Sequence, residues 1–136
     1  MRSLPPDVAE FLAAPRHAVI ATHDEDGQVR QAVVWYALTD EGILMNALEG
    51  RRWPTNLRRD PRLSFTVFDG EEYVILRGTA VVIDDPERGL EEARALAERY
   101  GGDPDSHNGQ HRVRILFDPQ EVALHGELAA KDPHRP

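Results

Sequence analysis

Apolar residues recur along this chain at two spacings, helical and alternating, and the switches between them lay out the elements. Val8, Phe11 and Leu12 stand at i, i+3 and i+4 and predict a short amphipathic helix over residues 5–14. Pro5 and Pro6 suit its start, and Pro15 ends it. A strand-length run, His17-Ala18-Val19-Ile20-Ala21-Thr22, follows. The turn Asp24-Glu25-Asp26-Gly27 separates it from a second predicted strand over residues 28–38, and the two make a hairpin. Thr39-Asp40-Glu41-Gly42 turns the chain into a third strand at 43–47. Residues 54–59 read as a short helix closed by Asp60-Pro61. Residues 63–68 alternate as a fourth strand, and Asp69-Gly70-Glu71 leads into a long fifth at 73–83. Gly78 inside that strand marks a bulge, a bend or a close approach.

Asp85-Pro86 caps and starts a third helix running to about Tyr100, with Leu90, Ala93, Leu96, Ala97 and Tyr100 as its apolar stripe. Gly101-Gly102 stops it. A polar loop spans 103–110, and two last strands, 113–117 and 121–125, flank Asp118-Pro119. Residues 127–136 read as a frayed, proline-bearing tail. The sum is six or seven short strands in hairpins with three helices. That pattern predicts a mainly β protein, an antiparallel barrel or sandwich with helices attached, rather than alternating β-α-β units. No Gly-x-Gly-x-x-Gly or phosphate-loop motif supports a Rossmann or P-loop site.

Length and charge narrow the function classes. The 136 residues fit one domain, and no run approaches the roughly 20 apolar residues of a membrane span. The first residues, Met1-Arg2-Ser3-Leu4-Pro5-Pro6, show no secretory signal. The absence of cysteine excludes disulfides, thiolate zinc sites and cysteine nucleophiles. These features suit a cytoplasmic protein. A net charge of −8 argues against a nucleic-acid partner. The charge is uneven, however. Arg51, Arg52, Arg58, Arg59 and Arg62 face only Asp60 within residues 51–62, so that window carries +4 and the rest of the chain −12.

The arginine window is the main candidate site. Asn46-Ala47-Leu48-Glu49-Gly50 leaves a strand, and Arg51-Arg52 follow just before a helix start. Guanidinium forks beside free helix amides suit a phosphate; they equally suit surface ion pairs on a solvated basic helix. The aromatics Trp35, Tyr36 and Tyr73 could floor a planar ring or simply fill the core. His107 and His111 flank an Asn-Gly turn with no third ligand in context, so no metal site is expected. No serine sits in a nucleophile elbow.

Several of these segments together resemble a known family. They are Pro15-Arg16, residues 18–22, Asp26-Gly27, Val34-Trp35-Tyr36, Gly50-Arg51, Asn56-Leu57-Arg58-Arg59-Asp60-Pro61-Arg62, Tyr73-Val74 and Arg77-Gly78-Thr79-Ala80. The pattern is similar to the pyridoxamine-phosphate-oxidase-like superfamily of flavin and deazaflavin proteins, closest to its actinobacterial branch of F420-dependent reductases. The resemblance implies a six-stranded antiparallel split β-barrel of Greek-key type, and a homodimer with two cofactor sites at the subunit interface. It implies a strand near Val34, Trp35 and Tyr36 running along the cofactor ring, and a turn from Gly50 to Asn56 holding the phosphate. Candidate contacts are thus Val34, Trp35, Tyr36, Asn46, Gly50, Arg51, Arg52, Trp53, Asn56 and Tyr73. Arg51 and Asn56 match the pattern, whereas Trp53 stands where the family has lysine and Thr55 where it often has a basic residue. The implied cofactor is F420, with FMN as alternative. The implied activity is hydride transfer to a small unsaturated or quinone-like acceptor. Alternatives are an FMN-dependent oxidase or reductase, and a non-catalytic binder of flavin, haem or a related tetrapyrrole. No catalytic side chain is expected, because the cofactor carries the redox chemistry.

Overall fold

The computed structural model describes residues 4–126; the expected tail at 127–136 lies outside them. Helix α1 (Pro6–Ala13) opens on Pro5 and Pro6 and buries Val8, Phe11 and Leu12, the residues whose spacing predicts it. Then come β1 (His17–His23), β2 (Val29–Val34), β3 (Ala37–Thr39) and β4 (Gly42–Leu48). Helix α2 (Arg52–Arg59) leads to β5 (Arg62–Asp69) and β6 (Glu72–Ile83). Helix α3 (Pro86–Arg99) and a 3-10 turn (Pro104–His107) precede β7 (Arg112–His125).

All seven strands join one antiparallel sheet in the order β2-β1-β5-β6-β7-β4-β3. Strands β5, β6 and β7 are neighbours in sequence order, and β4 returns to lie beside β7, which is a Greek key. The two edges, β2 and β3, are separated in the chain by only Trp35 and Tyr36. A seven-stranded sheet whose end strands are joined by two residues must curl so that its edges come near each other without pairing. The result is a barrel split at one seam. Inward positions alternate along each strand, and Ala18, Ile20, Leu63, Phe65, Val67, Val74, Leu76, Val113, Ile115 and Phe117 fill the interior with α1.

Four expectations change. The segment 28–38 is two strands, because the chain turns from one edge of the barrel to the other at the seam. The freed backbone is satisfied by α3: the Tyr100 hydroxyl receives the Tyr36 amide at 3.3 Å, and Arg99 Nε donates to the Tyr36 carbonyl at 3.0 Å. The segments 113–117 and 121–125 are one strand, β7. Pro119, which cannot donate to a ladder, sits opposite Gly78 where the register of β6 and β7 shifts. A Cβ at Gly78 would run into the Asp118 carbonyl oxygen, so the close approach expected there is real. Helix α2 begins at Arg52 rather than Pro54, since a proline is tolerated in the first turn. The strand count is seven, within the six or seven that the pattern gives and one more than the resemblance implies.

Tyr36 ties the seam to the core. Its side chain is fully buried, meets Phe65 edge-on and donates to the Ala14 carbonyl at 3.0 Å. Burial, and secondarily Tyr100, pushes its phenol up to about 12 from 10.0. The fold therefore favours the neutral phenol, and its stabilisation holds below pH 10 and is lost as pH rises from 10 toward 12. Urea unfolding at pH 11 should show a loss of about 1 kcal/mol relative to pH 8 that Tyr36→Phe removes. An equal loss in both proteins would contradict this assignment.

Candidate functional site

A cavity of about 280 Å³ lies where β2 ends, β4 ends, α2 begins and β7 begins, with α3 along one side. Its first wall is Val33, Val34 and Trp35. Val33 points outward and is 73% exposed, as alternation along β2 requires. Trp35 stacks on Tyr100 with ring centroids 5.1 Å apart and planes within 9°. A Cβ at Gly102 would press on the Trp35 ring at 3.2 Å. Tyr100 and Gly102 thus hold the indole at the cavity rim.

The second wall comes from the arginine turn. Gly50 takes φ +92°, a conformation that favours glycine, and turns the chain out of β4. Arg51 is the α2 N-cap residue, with no side-chain cap on the helix. Thr55 bonds back to the Arg51 carbonyl through both its amide (3.3 Å) and its hydroxyl (2.8 Å). Trp53 lines the cavity while packing into the core at 8% exposure. Asn56 is buried and donates to Thr22 Oγ1 at 3.2 Å and Asp24 Oδ1 at 2.8 Å, which pins α2 to β1. Arg30, and then Asn56, hold the Asp24 carboxyl below its ordinary range. Of the five clustered arginines, Arg58 grips Glu49 with both nitrogens, Arg59 reaches the His23 carbonyl, and Arg62 pairs with Asp60. Among the described residues, neither Arg51 nor Arg52 has a hydrogen-bonded or ion-paired side-chain partner.

The third wall is Asn46, Arg112, His107 and the α3 residues Ala93 and Leu96. Asn46 is a hinge between elements: Nδ2 donates to the Gly89 carbonyl of α3 at 2.7 Å, and Oδ1 accepts from Arg112 Nε at 2.9 Å. Burial, and then the nearby charge of Arg51, pulls Arg112 below its ordinary value.

Of the sequence candidates, Val34, Trp35, Asn46, Arg51 and Trp53 meet in this cavity. Tyr36, Gly50, Arg52, Asn56 and Tyr73 stand outside its lining. Tyr36 and Asn56 face inward as scaffold, Gly50 shapes the turn, and Arg52 is exposed. Tyr73 stacks on His125 at 4.7 Å, in a cross-strand row with Phe68 and His17. Arg112 escaped the sequence reading, and His107 was weighed there only as a metal ligand. The alternation of Arg112 and Arg114 with Val113 and Ile115 puts both arginines on the face away from the core, which was the available signal. Elsewhere, Glu49, Asp84 and His111 bring ligand-type atoms within 4.8 Å of one another. Glu49 is already gripped by Arg58 and Asp84 by His111 at 2.6 Å.

A curled Greek-key sheet split at one seam, with a cationic cavity beside the split, defines the split-barrel class. The chain belongs to the pyridoxamine 5'-phosphate oxidase family, whose model matches residues 4–126. Among solved structures it is similar to one called an F420 reductase, with 23% identity, 88% of this chain and 98% of that one covered, and a TM-score of 0.77. It is similar to the conserved hypothetical protein Rv2991 from Mycobacterium tuberculosis, with 26% identity, 98% and 91% coverage, and a TM-score of 0.78. It is also similar to HutZ, the haem storage protein from Vibrio cholerae, with 20% identity, 92% and 94% coverage, and a TM-score of 0.69. No curated protein matches the sequence. No helix among the described residues is long and apolar enough to cross a membrane.

Proposed function

We propose that this protein is an F420-dependent oxidoreductase whose cofactor lies in the cavity between Trp35 and Arg51. The observation that carries the reading is the pairing of an apolar wall, Val33, Val34 and Trp35, with a guanidinium that no carboxylate of the described residues neutralises. A planar ring needs the first and an attached phosphate needs the second. When bound, reduced deazaflavin supplies a hydride to a small acceptor such as an enone or quinone. The chain's own part is to hold the ring against the Trp35 strand, to neutralise the phosphate with Arg51, and to exclude water with α3. The exposed Val33 at the cavity mouth suits coverage by a second copy, so the same reading is a cytoplasmic homodimer with its sites at the interface.

The cavity fits FMN on the same grounds, and fluorescence titration with F420 and with FMN separates the two. Arg51→Ala should weaken the bound cofactor about tenfold or more, as loss of a charge-assisted hydrogen bond requires. Unchanged affinity would remove Arg51 from the phosphate. A second reading, a binder of flavin or tetrapyrrole without turnover, draws on Trp53 in the place of the family's lysine and on the likeness to HutZ. Tight binding with no reduction of any acceptor would favour it.

A further inference from the structure

We propose that Arg112 is the second arm of a two-guanidinium site with Arg51, and that together they take a phosphate group in the cavity. The inference rests on the reading of this cavity as a cofactor site and deepens it. Arg112 comes from the start of β7, far in sequence from the arginine turn. Its guanidinium is held by two neutral oxygens: Nε donates to Asn46 Oδ1 at 2.9 Å and Nη1 to Gln110 Oε1 at 3.0 Å. Among the described residues no carboxylate pairs with it, and Nη2 has no hydrogen-bond partner.

The contrast with Arg114 two residues on is direct. That guanidinium is gripped by Glu92 of α3, with Glu41 at 3.7 Å. Arg112 instead sits beside a second cation, Arg51, on the wall of one cavity. Two neighbouring guanidinium groups, one of them half-buried and fixed by neutral partners, repel each other unless an anion lies between them. Asn46 orients the fork without cancelling its charge, which is what a preorganised anion site needs. Trp53 turns into the core and offers no cation. Arg52, the first residue of α2, stands outside the cavity lining, so Arg112 supplies from β7 the second guanidinium on the cavity wall.

The test compares ligands with and without the phosphate. Wild-type protein and Arg112→Met would be titrated by fluorescence with FMN against riboflavin, and with F420 against the same deazaflavin lacking its phosphate and tail. The variant should bind the phosphate-bearing ligands about tenfold or more weakly and the phosphate-free ones within about twofold of wild type. Equal weakening of both kinds would mark Arg112 as a structural residue and overturn the proposal, as would unchanged affinity for both. Gln110→Glu gives a variant that leaves the core untouched. The exposed glutamate would pair with Arg112 and should weaken the phosphate-bearing ligands severalfold; no change would count against the proposal. A third arm separates this idea from the cofactor reading. Inorganic pyrophosphate should raise the melting temperature of the wild type and not of Arg112→Met. If no flavin or deazaflavin binds but this arm succeeds, the anion site stands and the cofactor reading falls. If pyrophosphate stabilises both proteins alike, or neither, the anion site falls.

Discussion

Replacing Glu92 by alanine should cost the protein about 3–5 kcal/mol of stability. Arg114 is only 3% exposed on β7 and carries a charge that cannot be shed. Glu92 of α3 meets it through both carboxylate oxygens, Oε1 against Nε and Oε2 at 3.3 Å from Nη2. The hydrogen bond that Arg114 donates to Glu92 raises the Arg114 pKa, the direction expected when the charged form is stabilised. Glu41 approaches Arg114 at 3.7 Å but is itself half-exposed and shared with Arg88. It compensates little once Glu92 is gone. Most of the loss is the penalty of a buried, unpaired charge rather than the value of the bond. The double variant Glu92→Leu with Arg114→Met should accordingly recover much of the loss, because it removes the charge along with its partner. Urea unfolding of the three proteins measures this. A single-variant loss under about 1 kcal/mol would contradict it.

Gly89→Ala should lower stability by about 2–3 kcal/mol and weaken the cofactor as well. Helix propensity alone forecasts the opposite sign, since alanine in a helix interior is favoured over glycine by up to about 1 kcal/mol. Gly89 is in the first turns of α3, where a Cβ would drive into the Arg112 carbonyl oxygen of β7. That oxygen is backbone, so α3 itself must move away. The Gly89 carbonyl also receives Asn46 Nδ2, and Asn46 in turn positions Arg112. A shifted helix therefore disturbs the site through two hydrogen bonds. Thermal unfolding and cofactor titration of Gly89→Ala read both effects. A variant more stable than wild type would show that the close approach carries no weight.

Those two effects hang on contacts between distant segments, and the sequence was informative in the opposite regime. Hairpins and helices with local signals were legible. The Asp-Gly turns closed β1–β2 and β5–β6, and Asp85-Pro86 opened α3 with the Asp85 side chain accepting from the Arg88 amide. Boundaries set by distant partners were not. Nothing near Trp35-Tyr36 marks the seam, because the partners that satisfy it are Arg99 and Tyr100, more than 60 residues away. Pro119 looked like a strand break because its tolerance depends on a bulge contributed by β6.

The candidate site divides in the same way. The arginine turn stood out by clustering, and three of its arginines proved to hold α2 and its flanks through Glu49, His23 and Asp60. Asn56 is likewise engaged with Thr22 and Asp24, a role that no short motif shows. For Arg112 the local alternation shows only the face, and its meaning comes from β4 pairing with β7 and bringing Asn46 and Arg112 to one wall.

The central claim is that the cavity between Trp35 and Arg51 holds a phosphate-bearing deazaflavin or flavin. Titrating the purified protein with F420 and with FMN, and following cofactor and tryptophan fluorescence, tests it most directly. Saturable binding of one of them at low micromolar concentration, lost or strongly weakened in Arg51→Ala, is the expected result. No binding of either cofactor at high micromolar concentration would contradict the claim.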